Sequence, residues 1–152
     1  MSLVDRIVKF FLKLIARNLV AVLHDTPYLY GENPITIGEK VSLSNAVLNA
    51  RSGAIVIEKG VFFGHNCMVL TGFHNYQNLD GNRNTIENAK RDIFIGENSW
   101  IASGVTIVGP ARIGRNCVVG AGSVVVGDLP DAVLAVGNPA KVVKQLTAGA
   151  LG

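Results

Sequence analysis

A chain of 152 residues that is 49% hydrophobic and 16% charged can bury a core of its own, which sets aside disordered and low-complexity classes. Its net charge of +3 is confined to the first 23 residues, where Arg6, Lys9, Lys13 and Arg17 are set against Asp5 alone. The remainder is neutral and lacks the electrostatic footprint of a nucleic-acid-binding body.

In chain order, residues 1–24 form the first unit, and Ser2 to Leu23 read as an amphipathic helix. Ser2, Asp5, Arg6, Lys9, Lys13, Ala16 and Arg17 fall within an arc of about 120° at about 100° per residue, leaving a broad apolar face that includes Phe10, Phe11, Leu14 and Ile15. Charges interrupt the segment too often for a transmembrane span or a signal-peptide core. The apolar face is expected either to pack on the rest of the protein or a neighbouring subunit, or to lie on an anionic membrane surface through residues 2–23. His24 closes the helix without assigned chemistry.

Residues 25–34 (DTPYLYGENP) read as a connector of turn formers. From 35 to 136 the organising pattern is a six-residue period, clearest where Ile95, Ile101, Ile107, Ile113, Val119 and Val125 share one register. A helix repeats near 3.6 residues and a flat strand at 2, so a hexad with one obligatory β-branched residue describes a short strand followed by a turn. Asn98, Gly104, Asn116 and Gly122 recur at a place where residues tolerating φ > 0 can turn a corner. Three such hexads close a triangular coil, and stacked coils pair their strands in parallel about 4.8 Å apart. The fold class is an all-β solenoid, a parallel β-helix. Ile37 and Leu43 keep the register, Asn49 breaks it, and the chain slips through ARSGA before Ile57, Phe63 and Val69 resume. That pattern predicts about four coils, a stack about 19 Å high. Cys67 and Cys117 fall at inward places and read as reduced core thiols, with a cytoplasmic location as the default.

After Val69 the period stops, and a polar, Asn-rich insert at 75–92 intervenes before Ile93 and Ile95 restart the coil. Long inserts at a solenoid corner are more often functional than decorative. His65 reads as a surface turn residue. His74 stands where the ordered coil hands over to the insert, rigid behind and open in front, which suits a general base.

The segments IEKGVFFGHNCMVLTGFH, IFIGENSWIASGVTIV, ARIGRNCVVGAGSVV and VGNPAKVVKQL resemble the maltose, galactoside and exopolysaccharide O-acetyltransferases of the hexapeptide-repeat, left-handed β-helix family, over residues 35–146. The resemblance implies a left-handed helix, acetyl-CoA as co-substrate with no metal, and a homotrimer with sites between subunits. It makes His74 the catalytic base, places Trp100 beside the acetyl-CoA site and aims the backbone N–H of Ser103 at the thioester oxygen. Gly120 and Ala121 would line the pantetheine path. Lys141 and Lys144, in a coenzyme-proximal tail at 137–152, would face the coenzyme phosphates, and Asn45 would contact the acceptor. Two departures stand out: Asn75 follows the histidine where relatives often carry Pro or Asp, and Val126-Gly127 replaces a Thr-Lys pair.

These residue types suit direct acetyl transfer in a ternary complex. The acceptor hydroxyl must lose a proton as it attacks, imidazole titrates near neutrality, and the oxyanion needs fixed donors. The expected acceptor is a hydroxyl of a sugar or saccharide. An amino sugar acylated on nitrogen is the main alternative, and a non-catalytic scaffold is a lesser one. A γ-type carbonic anhydrase would need three converging histidines, and His24 lies outside the solenoid. Location is expected to be cytoplasmic, at the inner face of a membrane if the helix binds lipid.

Overall fold

The computed structural model describes residues 3–79, 81–87 and 90–147. Met1 and Ser2 of the expected helix, Asp80, Asn88 and Ala89 of the insert, and residues 148–152 of the tail lie outside the described residues, as do the side chains of Leu3, Arg17, Val20 and residues 21–24. The protein is one helix, α1 (Leu3–His24), followed by a β-solenoid of five coils. The first coil contains β1 (Tyr28–Tyr30) and β2 (Ile35–Ile37). The second holds β3 (Val47–Asn49), β4 (Ile55–Ile57) and β5 (Phe62–Phe63), and the third β6 (Met68–Leu70), β7 (Ile93–Ile95) and β8 (Trp100–Ile101). The fourth is β9 (Thr106–Val108), β10 (Ala111–Ile113) and β11 (Val118–Val119). The fifth is β12 (Val124–Val126), a bridge from Leu129 to Ile113, and β13 (Val133–Gly137), after which β14 (Ala140–Gln145) turns back antiparallel on β13.

Every other strand pairing is parallel, and three faces result. Face one is β1-β3-β6-β9-β12, face two β2-β4-β7-β10, and face three β5-β8-β11-β13-β14. The fold is the left-handed β-helix expected of hexapeptide repeats. Side chains alternate along each short strand: on face one the central residue points inward, on face two the two end residues do, and the six register residues from Ile95 to Val125 are at most 1% exposed. They stack in columns such as Leu48, Val69, Ile107 and Val125 up face one. Each buried aliphatic side chain contributes about 1.5–3 kcal/mol by leaving water. Small residues complete the corners: the buried Ser99 hydroxyl donates to the Gly114 carbonyl at 2.8 Å and accepts from the Cys117 N–H at 3.0 Å. Between faces two and three, Lys40, Gly60, Asn98, Asn116 and Ala132 all have φ between +54° and +69°, so each coil turns through the left-handed region at the same place.

Two sequence expectations are corrected and a third is narrowed. The solenoid has five coils, because Tyr28–Tyr30, read as connector, pairs with Val47–Asn49. This end coil is covered on one side only, so its residues need not follow the hexad, and Tyr28 is 63% exposed. At the register break Leu48 is the buried residue, one place before Asn49, because the corner between Leu43 and Leu48 is one residue short. Finally, the apolar face of α1 is not covered by its own chain, with Phe10 64% and Phe11 55% exposed. No helix among the described residues is long and apolar enough to cross a membrane.

Cys67 and Cys117 are buried and unpaired with each other, as the inward places predict. Burial pushes both thiols above the ordinary range, which keeps them protonated and inert.

Candidate active site

The insert leaves the solenoid at the corner between faces one and two, after Leu70. Buried Thr71 anchors its first turn, its hydroxyl donating to the Asn49 carbonyl at 2.8 Å and accepting from the Ser52 N–H at 3.1 Å. The Phe73 N–H donates to the Ser52 hydroxyl at 3.0 Å. Between these ties, Gly72 passes so close to Asn49 that a Cβ would sit 2.8 Å from its side-chain nitrogen. The chain is thus stapled to the coil below up to the residue before His74. Arg91, where the insert returns, stacks 4.7 Å over the Phe73 ring, and its N–H donates to the Ser52 carbonyl at 2.9 Å.

His74 itself pairs with Ile86 in an isolated antiparallel bridge, closed by the Glu87 N–H donating to the Phe73 carbonyl at 3.2 Å. The two arms of the insert therefore form an ordered neck. Across it, the Nδ1 of His74 lies 3.1 Å from the carbonyl oxygen of Thr85. A carbonyl can only accept, so Nδ1 donates in this contact, and in the neutral ring the lone pair is on Nε2. The imidazole is exposed at the edge of a cavity of about 430 Å³ lined by Tyr30, Asn49, Arg51, Gly72, His74 and Ile86. A carbonyl-oriented imidazole facing an open, partly polar cavity can accept a proton from a bound group.

A second constellation occupies the corner between faces three and one. Trp100 is 44% exposed and stacks on Phe62, ring centroids 5.8 Å apart at 15°. The backbone climbs this corner through Gly64 N–H to Ile101 O, Ala102 N–H to Val119 O and Gly120 N–H to Ala135 O, at 2.7–3.0 Å. Ser103 and Ala121 are exposed here, and the Ser103 N–H has no acceptor among the described residues. A Cβ on Gly120 would meet the Val136 side chain at 2.6 Å. Lys141 and Lys144 lie on the adjoining β13–β14 hairpin, opposite Val136 and Leu134. Trp100, Ser103, Gly120 and Ala121 are therefore brought together, with the lysine hairpin beside them, while His74 sits at a different corner of the prism. Asn45 also belongs to the Trp100 corner, where it exchanges hydrogen bonds with Asn66 (2.9 and 2.7 Å). Within one chain it does not line the cavity of His74. His65 Nε2 lies 3.4 Å from the Asp25 carboxylate. Among the described residues no group of three or more His, Cys, Asp or Glu side chains could hold a metal ion.

Residues 92–127 match the family profile described as bacterial transferase hexapeptide (six repeats). A Saccharomyces cerevisiae protein whose name carries a provisional acetyltransferase assignment is 36% identical over 118 residues, 78% of this chain and 59% of its own length. This chain belongs to the hexapeptide-repeat transferase family. The galactoside O-acetyltransferase of Lactococcus lactis is 37% identical over 92 residues, 60% of this chain and 44% of that protein. The chain thus spans about half the length of these relatives. Among solved structures, a hexapeptide-repeat acetyltransferase of Vibrio cholerae in complex with acetyl coenzyme A superposes with a TM-score of 0.64, at 25% identity over 87% of this chain and 78% of that one.

Tyr30, Asn49, Arg51 and Ile86 around His74, and Thr85 behind it, are not singled out by the sequence. Tyr30 and Arg51 lie in segments that read as a connector and a slip. Their one signal was that two consecutive face-one to face-two corners, YGENP and ARSGA, each depart from the hexad beside the largest insert.

Proposed function

We propose that this hexapeptide-repeat protein transfers an acetyl group from acetyl-CoA to a hydroxyl of a saccharide, with His74 as general base. The observation that carries the reading is the 3.1 Å contact of His74 Nδ1 with the Thr85 carbonyl, which assigns the lone pair of the neutral imidazole to Nε2 in a ring that lines the cavity. The acetyltransferase name of the Lactococcus lactis relative and the acetyl coenzyme A complex of the Vibrio cholerae neighbour support this chemistry. In the step, the acceptor hydroxyl oxygen attacks the thioester carbonyl carbon as its proton passes to Nε2. The tetrahedral oxyanion is held by fixed donors, for which the unspent Ser103 N–H is suited. Collapse breaks the carbon–sulfur bond, and the imidazolium returns the proton to the leaving thiolate. Both cysteines are buried, which fits direct transfer without an acetyl-enzyme.

His74 and the Trp100 corner lie on different edges of one prism, so a working site takes His74 from one subunit and Trp100, Ser103, Gly120, Ala121, Lys141 and Lys144 from its neighbour in a trimer. The lysines would meet the coenzyme phosphates. The exposed face of α1, flanked by Arg6, Lys9 and Lys13, suits an anionic membrane surface, where two adjacent phenylalanines insert between headgroups.

The test is acetyl-CoA-dependent thiol release against a saccharide panel, comparing wild type with His74→Ala. Turnover should fall by about 10²–10⁴-fold while coenzyme A binding is retained. Near-normal turnover in the variant would overturn the assignment.

A further inference from the structure

The cavity at His74 does not end at Arg51. Tyr30, Arg51 and Ile86 also line a second cavity of about 760 Å³, which continues to Tyr28, Gly31, Glu32 and Asn33 at the first coil. One groove therefore runs from the imidazole along the corner between faces one and two, and Arg51 stands at its middle. Its main chain is fixed, with the N–H donating to the Asn49 side-chain oxygen at 3.0 Å. Its guanidinium lies 5.6 Å over the Tyr30 ring, and no carboxylate among the described residues pairs with it. By contrast, Arg115 and Lys59 on the outer surface each hold an acid, Asp131 at 2.9 Å and Glu97 at 3.3 Å. The Tyr28 and Tyr30 rings lie 5.1 Å apart at 37° and give the groove an aromatic wall.

We infer that this groove takes an acceptor saccharide bearing an anionic substituent, and that Arg51 is the residue selecting for it. A guanidinium with unused donors is matched in geometry by a carboxylate or a phosphate, which it can bind through two parallel hydrogen bonds. Tyrosine faces suit the apolar faces of pyranose rings, and Glu32, which lines the same cavity, can accept from sugar hydroxyls. The unit carrying the charge lies at Arg51 while the neighbouring hydroxyl reaches His74. This inference rests on the acetyl-transfer reading only for the fate of that hydroxyl; the recognition itself is a binding event.

Two pairs of probes separate the sources of the charge: digalacturonate with its carboxyl-reduced twin, and galactose 6-phosphate with galactose. Binding is measured by calorimetry on the full chain, and turnover by thiol release with acetyl-CoA. At least one anionic probe should bind about tenfold or more tightly than its neutral twin, as a charged hydrogen-bonded pair provides. Arg51→Gln should bring the anionic-to-neutral affinity ratio to about one, and Arg51→Lys should restore part of the preference. Equal binding of anionic and neutral twins, or an equal loss of both in Arg51→Gln, overturns the inference. Charge-selective binding without thiol release upholds Arg51 and counts against acetyl transfer; thiol release without charge preference does the reverse.

Discussion

His74 and Thr85 are eleven positions apart in the chain, yet the ring Nδ1 of one lies 3.1 Å from the carbonyl oxygen of the other. The contact exists because the insert folds back on itself at the neck, where His74 bridges Ile86 and Glu87 donates to Phe73. The return arm supplies the orienting group through its main chain, not through Asn75, the residue that follows the histidine. A main-chain carbonyl does not depend on side-chain identity, so the loop's conformation, rather than any one of its residues, positions the imidazole.

Glu87→Pro removes the N–H that closes this neck without touching the cavity lining. Turnover should fall by about tenfold through kcat, with coenzyme A binding and the thermal midpoint nearly unchanged, because the neck is exposed and outside the core. A kcat equal to wild type in this variant would show that the neck does not position the imidazole.

Stability should vary along the stack. Ile107 is fully buried in the fourth coil, between Val69 and Val125, whereas Ile37 in the first coil is 40% exposed. Ile107→Ala should cost about 2–5 kcal/mol and Ile37→Ala about 1 kcal/mol, since only the former leaves a closed cavity. Denaturant melts of the two variants check this, and equal losses would contradict a stack that weakens towards its open end.

Acid sensitivity should have a component at the fifth coil. The Arg115 guanidinium, donating to Asp131 at 2.9 Å, together with the Arg115 N–H at 3.0 Å, holds the Asp131 carboxyl below the usual range. A depressed folded value means that this stabilisation is complete above the unfolded carboxylate pKa of about 3.9 and is lost as pH falls through the folded value. The stability difference between wild type and Asp131→Asn should therefore be constant at neutral pH and shrink below about pH 4. Because both groups are exposed, the difference should also shrink in high salt. A difference that grows on acidification would assign the wrong sign to the pair.

The solenoid was readable because its environments repeat. Ile95, Ile101 and Ile107 each meet a buried apolar residue one coil above and one below, so the same residue type is required at the same interval, and burial follows it from Ile57 to Val125. Where the environment ceases to repeat, reading failed in particular ways. Tyr28–Tyr30 pairs with Val47–Asn49 through main-chain hydrogen bonds that leave no period in the side chains of an end coil. A corner one residue short turned Leu48 inward in place of Asn49, and this carried Asn49 to the groove of His74 while Asn45 stayed at the Trp100 corner.

By itself, then, the chain's periodicity determined the class of fold, the inward register and the corner at which the hexads are interrupted, because a β-branched residue every sixth place has one geometrical solution that buries all of them. It also singled out His74 by its position at that interruption. Tertiary structure alone decided which imidazole nitrogen is free, and which residues share its cavity. Those depend on single contacts, Thr85 to His74 and Arg51 over Tyr30, between segments whose separation in sequence follows no repeat.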